Sequence, residues 1–368
     1  MRVGTRRSPA VTKATTTRTT ERLPVQVTVG QASRLAKWLL PLAICASACS
    51  PRPAEAPPTR PARPLHQGPP SDYVSSAGLR WLLLLEPRKI LAVPELAHAI
   101  AAIVPDRRFD AFTESSGVDL RAVPNAAVAG FSYSTLYLAE LPNDVAATVR
   151  ARFTERLLSG PLVKQPHPAL IRVAGVVGQT PETLLTVDDR LLAVAVGDPV
   201  QERIVEAYAQ DRLPRSPPAR RGAALSTLPD LAANNTATLL VPGPFADDWQ
   251  RAANGLLQST VAIGIAARPA AHGKITTTIC LAGAWGDSAD DASQRLATAW
   301  TAFAQSSAGR LFELAPEANV QPSPDRLTLT IELDLEALVR GLQASVLGDL
   351  SQILRLPGKR PTAPETGG

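Results

Sequence analysis

Cysteine occurs three times in 368 residues, at Cys45, Cys49 and Cys280. That is too few for a disulfide framework, and no Cys-x-x-Cys pair or Cys/His cluster has the spacing of a zinc site. Histidine is equally scarce: His66, His98, His167 and His272 are the whole set, none within four residues of another, so no metal centre is expected. No Gly-x-x-x-x-Gly-Lys or Gly-x-Gly-x-x-Gly occurs, which removes the common phosphate and dinucleotide loops. The nearest approach to a serine nucleophile elbow is "GFSYS" at 130–134, which lacks the last glycine and joins two strands, so Ser132 is not expected to be catalytic. Three acidic pairs, Asp188-Asp189, Asp247-Asp248 and Asp290-Asp291, sit in turns or first helical turns. Acids there cap helices and favour the dipole, and adjacent residues on a helix do not face one another. No catalytic residue and no cofactor is expected from these patterns.

The net charge of +5 would ordinarily point to an anionic partner, and arginine outnumbers lysine 32 to 6. Residues 1–48, however, hold eight basic residues against Glu21 alone, a net +7 that leaves about −2 for everything after Ala48. The near-neutral remainder argues against a nucleic-acid partner.

What is present first is a leader. Arg34 and Lys37 precede eleven mostly apolar residues, Trp38 to Ala48, followed by Ala46-Ser47-Ala48-Cys49. This is the charged region and short apolar region of a secretory signal, well under the ~20 apolar residues that span a bilayer. Ala46-Ser47-Ala48-Cys49 resembles the lipobox of bacterial lipoproteins, whose peptidase cuts before a cysteine that carries diacylglycerol. That resemblance implies cleavage between Ala48 and Cys49, lipid attachment at Cys49, and a protein held in the bacterial cell envelope, with Ser50 matching outer-membrane sorting. The ordinary Ala-x-Ala cleavage would cut the same bond and leave a soluble secreted protein. Ile44 is too bulky for the small-residue position, which makes Cys45 the poorer acceptor. The long segment ahead of the signal suggests that translation starts later, at Val27 or Val29. Residues 49–72 carry eight prolines between 50 and 72 and no large apolar cluster, the composition of an extended tether.

The body then alternates strand-like and helix-like segments. "RWLLLL" at 80–85 reads as a buried strand, and 94–104 and 107–116 as helices, the second ended by Gly117 in a left-handed conformation. A strand, a turn with Asp, Asn, Ser or Gly, and an amphipathic helix recur at 135–158, 190–210, 237–257, 275–306 and 326–354. Asp198 with Gln201, Ser288 with Asp291, and Asp334 are candidate caps. Helical stripes are expected at Val145/Val149/Phe153, Val200/Ile204/Tyr208, Phe245/Trp249/Leu256 and Leu335/Leu338/Leu342. Strands at 126–133, 135–141, 169–178, 181–187 and 190–196 follow one another closely enough for hairpins. Strict alternation at 275–281 and 327–333 favours antiparallel pairing, with Cys280 an inert, half-buried thiol on the threonine side. Trp285, Trp300, Phe303 and Phe312 are read as core.

The expectation is an α+β protein in two halves of antiparallel sheet, 73–213 and 223–356, with helices packed on one face of each. "PRSPPARRG" at 214–222 is expected as a linker and 357–368 as a disordered tail. The function expected is a lipid-anchored envelope protein in a non-catalytic interaction or structural role. Two alternatives remain open: a carrier of a lipid or other apolar molecule, and an envelope hydrolase without a familiar motif. The expected partners are the membrane, through lipid on Cys49, and an envelope protein or apolar ligand.

Overall fold

The computed structural model describes residues 63–158, 160–213, 215–253 and 255–353. The signal, Ala48, Cys49, the first part of the tether and the tail lie outside the described residues.

The chain is α+β, and among the described residues it is built on one antiparallel sheet of twelve strands. The first half contributes β1 (Leu79–Leu85), then α1 (Pro87–Leu91), α2 (Pro94–Ile103) and α3 (Asp106–Ser116), the hairpin β2 (Ala126–Phe131) and β3 (Ser134–Glu140), and α4 (Ala146–Glu155). A meander follows, β4 (Leu162–His167), β5 (Leu170–Val177), β6 (Thr180–Val187) and β7 (Leu191–Gly197), and then α5 (Val200–Ala209). The second half contributes β8 (Ala237–Pro242), α6 (Asp247–Ala252), β9 (Thr260–Ala270), β10 (Lys274–Gly283), α7 (Ala289–Gln305), α8 (Ser307–Leu311), β11 (Asn319–Ser323), β12 (Arg326–Asp334) and α9 (Leu335–Ile353).

The strand order, β11-β12-β10-β9-β8-β1-β2-β3-β7-β6-β5-β4, shows that the halves are repeats. Outward from the central β1–β8 pair, β1-β2-β3-β7-β6 matches β8-β9-β10-β12-β11, and the β4–β5 hairpin is an addition to the first half. Leu83 lies opposite Leu239, and a two-fold through that pair carries Val128 onto Ile265, Tyr137 onto Ile279 and Val194 onto Leu329. These residues form one row, apolar in every strand, that runs on through Leu184, Val173 and Val163 at one end and Val320 at the other. The two halves therefore share a single sheet and a single register.

Helices cover both faces, where one face was expected. The face bearing the apolar row is covered by α4 in the first half and by α7 in the second, over the cores around Val149, Phe153 and Leu184 and around Leu281, Trp285 and Leu327. The other face packs Leu82, Leu185 and Leu240 against Tyr73, Val205 of α5 and Leu225. Its outer strands in the second half keep Thr330 and Glu332 exposed, the wet face expected from alternation.

The supposed linker and the end of the tether are built into this layer. Ala219 donates its N–H to Val74 at 2.7 Å, and Ser75 bridges Pro218. Tyr73 is fully buried and donates to the carbonyl of His66 at 2.6 Å. Proline removes donors from these segments but leaves carbonyls and apolar rings to pack, which composition alone does not reveal.

The local signals worked unevenly. Gly117 ends α3 at φ 78°, and Asp334 accepts from the Ala337 N–H at 2.8 Å. Asp198 accepts from Val200 N–H at 3.0 Å, but the Gln201 side chain does not reach back, its Oε1 being buried without a partner. Ser288 donates to the Trp285 carbonyl instead of capping with Asp291. The α5 stripe holds at Tyr208, which is buried, and at Ile204, which packs against the core, but fails at Val200, 46% exposed, and the buried face widens to take in Val205, Glu206 and Ala209. Arg172 of β5 reaches Glu206 at 3.3 Å and Glu202 at 3.7 Å, which holds the acidic side of the helix on the sheet as well. Burial pushes the Glu202 carboxyl above its ordinary range. Trp249 and Phe303 are exposed, whereas Trp285 and Trp300 are core.

Candidate functional site

Between the first-half sheet and α1–α4 lies a cavity of about 600 Å³. Its floor is the sheet face of Leu85, Ala126, Val128, Ala139, Leu192 and Val194, and its roof is Ile90, Ile100, Phe109, Phe112, Val149 and Phe153. Among the described residues, only Ser116, Tyr137, Arg156 and Glu182 bring polar side-chain atoms to the wall. Ser116 is already satisfied, donating to the Phe112 carbonyl and accepting from the Val118 N–H.

The repeat explains why the space is empty. The two-fold that relates the halves carries the row Leu85, Ala126, Ala139, Leu192 onto Val241, Ile263, Leu281, Leu327. Ile263 and Leu281 fill the second half, where Phe245, Leu256, Leu257 and Trp285 complete a packed core above them. The first half has alanine at both places. The roof does not compensate: α1 and α3 bury no side chain at all and α2 buries only Ala99. Phe112 is left 43% exposed and Tyr137 47% exposed, because what they face is the hollow. Close packing is the rule in protein interiors, so a void this size under an ordered roof is a departure with a cost. Apolar pockets of ~300–1,000 Å³ are the usual dimensions of small-molecule sites.

The mouth carries one charged pair. Arg156 at the end of α4 and Glu182 of β6 approach to 3.7 Å, with Glu182 mostly buried and Arg156 nearly half exposed. Leu157 packs on Gly175, the strand neighbour of Glu182, where a Cβ would meet the leucine at 2.8 Å.

A wider hollow of about 1020 Å³ lies where β1 begins and β8 ends, walled by Trp81, Leu239, Val241 and Phe245 with Trp249 exposed. Ser132 is on its rim, accepting from Arg80 Nε at 3.3 Å, with no histidine or carboxylate in the wall. His98 is exposed on α2. Ser132 and His98 are therefore not brought together with an acid. His66 stands 3.6 Å from Asp72, His167 meets the Arg63 carbonyl, and His272 occupies a left-handed turn. Among the described residues no group of three His, Cys, Asp or Glu is placed to hold a metal ion. Among them too, no helix is long and apolar enough to cross a membrane. The acidic pairs lie in a turn or in first helical turns: Asp188 and Asp189 both adopt positive φ, Asp247 and Asp248 open α6, and Asp290 and Asp291 are in the first turn of α7, where Asp291 pairs with Arg295. Cys280 is fully buried, not half-buried, beneath the threonine side, and burial pushes its thiol upward in pKa.

No signal in the sequence singled out Ala126, Ala139, Arg156 or Glu182. The alanines are conspicuous only beside Ile263 and Leu281, an equivalence that the strand register reveals. No family model matches the chain, and no curated protein does. Among solved structures, a GTP binding regulator from Thermotoga maritima aligns over 24% of this chain and 66% of its own at 16% identity, with a TM-score of 0.19, a likeness too slight to carry any argument.

Proposed function

We propose that the protein binds a long-chain apolar or amphiphilic small molecule in the first-half cavity and holds or carries it at the bacterial envelope, without catalysing a reaction on it. The observation that carries this reading is the unfilled apolar cavity, open in one repeat and packed in the other. A chain of this kind gains ~25 cal/mol for each Å² of apolar surface removed from water, and the roof gains the partner it lacks. The lipobox-like Ala48-Cys49 supplies the anchor in this scheme, and a Cys49→Ala chain should move from the membrane fraction to the soluble fraction on ultracentrifugation.

The test of the ligand is mass. The full chain, purified without added lipid, should give a native mass exceeding its denatured mass by a single-chain or short two-chain lipid. Equal masses, with no uptake of the neutral probe N-phenyl-1-naphthylamine, would sink the carrier reading.

A second reading has its own support. The β4 edge of the sheet leaves Leu162 and Val163 each 56% exposed, beside Leu158. An open apolar edge is a surface for a partner strand, and on this reading the protein is an envelope interaction module. Lys164 and Pro166 interrupt that edge. A charge and a missing donor are the devices that discourage strand addition, which is why the cavity ranks first.

A further inference from the structure

The described wall of the cavity is apolar apart from Ser116, Tyr137 and one charged pair, and the pair is where the chemistry of its ligand is written. Arg156 and Glu182 line it together, yet their nitrogen and oxygen are 3.7 Å apart, too far for a hydrogen bond. Among the described residues neither side chain has another polar partner. Glu182 is a mostly buried carboxylate, its side chain 13% exposed, and Arg156 keeps all its donors unspent. A mostly buried charge with so loose a partner is only partly compensated within the protein, and its remaining acceptor capacity is open to a ligand group.

We propose, building on the carrier reading above, that Arg156 and Glu182 form the head-group clamp of the cavity. Its ligand is a zwitterionic amphiphile: an anionic phosphate oxygen for Arg156, an ammonium for Glu182, and an acyl tail in the apolar space. The polarity follows from the pair. A purely anionic head would satisfy Arg156 and place its charge against Glu182; a neutral head would leave both ions underpartnered. The cavity volume suits the tail: 600 Å³ holds about 20 methylene-sized groups at the ~30 Å³ that a water occupies in the liquid, one long chain or two short ones. Tyr137, half exposed on the floor, lies between the clamp and the central strands and covers the upper tail.

The experiment is competition for N-phenyl-1-naphthylamine bound to the full chain. Palmitoyl lysophosphatidylethanolamine should displace the probe at about one tenth of the concentration needed by monopalmitoylglycerol, the tail being the same, since charge-assisted hydrogen bonds are worth about one decade or more each. Arg156→Gln should bring the two competitors within about twofold. Glu182→Gln, nearly identical in shape, should cost the lysophospholipid several-fold and leave the monoglyceride unchanged, which separates recognition from folding. Equal competition in the parent chain, or a preference that survives Arg156→Gln, overturns the clamp and leaves the carrier reading standing. No probe uptake by the parent chain overturns both.

Discussion

Giving the first repeat the side chains of the second, Ala126→Ile with Ala139→Leu, should raise the melting temperature and weaken ligand binding at least tenfold in the same protein. Both positions lie on the cavity floor, in register with each other and with Leu85 and Leu192. The backbone there already accommodates larger residues in the other half, where Ile263 and Leu281 occupy the equivalent row. The added carbons enter empty apolar space, so burial at ~0.8 kcal/mol per methylene sets an upper bound near 5 kcal/mol. Incomplete packing against a thin roof brings the expected gain to about 2 kcal/mol, some 4–8 °C for a body of this size. The opposite signs are the diagnostic. A variant that lost binding by misfolding would melt earlier, and one that gained stability but bound as before would show that the ligand sits elsewhere. Calorimetry and probe titration on one preparation read both.

Much of the fold was written in local pattern. The alternation in Ile275 to Leu281 and Leu327 to Leu333 predicted antiparallel strands with one wet face, and β10 and β12 pair that way along their length. Proline at the start of α2 and glycine after α3 fixed both helices to within a residue. What was not legible has three physical sources. Edge strands bury too little to show a period: β4 reads "LVKQPH", almost entirely exposed, and β11 is short and contains Pro322. Strand β9, "TVAIGIAARPA", alternates small with apolar residues because its other face is pressed by a loop, where Leu231 would lie 2.4 Å from a Cβ at Gly264. The burial of Glu202 and Glu206 on α5 goes with Arg172, a tertiary partner that no helical period encodes. The site itself was the least visible part. A catalytic centre announces itself through residue types, whereas this one consists of what is missing, two methyl-sized side chains where the repeat has four-carbon ones.

Truncating Leu82 to alanine should have the largest destabilising effect, about 3–4 kcal/mol, in line with the ~2.7–5 kcal/mol measured for fully buried leucines. Leu82 is inaccessible at the centre of the sheet, lying opposite Leu240 of β8 on one side and Ala129 of β2 on the other. Its side chain points into the layer of Tyr73, Val205 and Leu225, the core that the halves share. Neither neighbour can close the gap, since Ala129 is already minimal and Leu240 is fixed by its own strand. The shape of the melting curve tells more than its midpoint. Because β1 and β8 are both central strands and the row of apolar residues crosses them without a break, the halves should unfold together, and Leu82→Ala should move one transition by about 6–16 °C. Two transitions, with only one displaced, would mean that each repeat holds its own core and that the β1–β8 seam is an interface between two folding units. In that case the cavity half could open for loading while the packed half stayed closed.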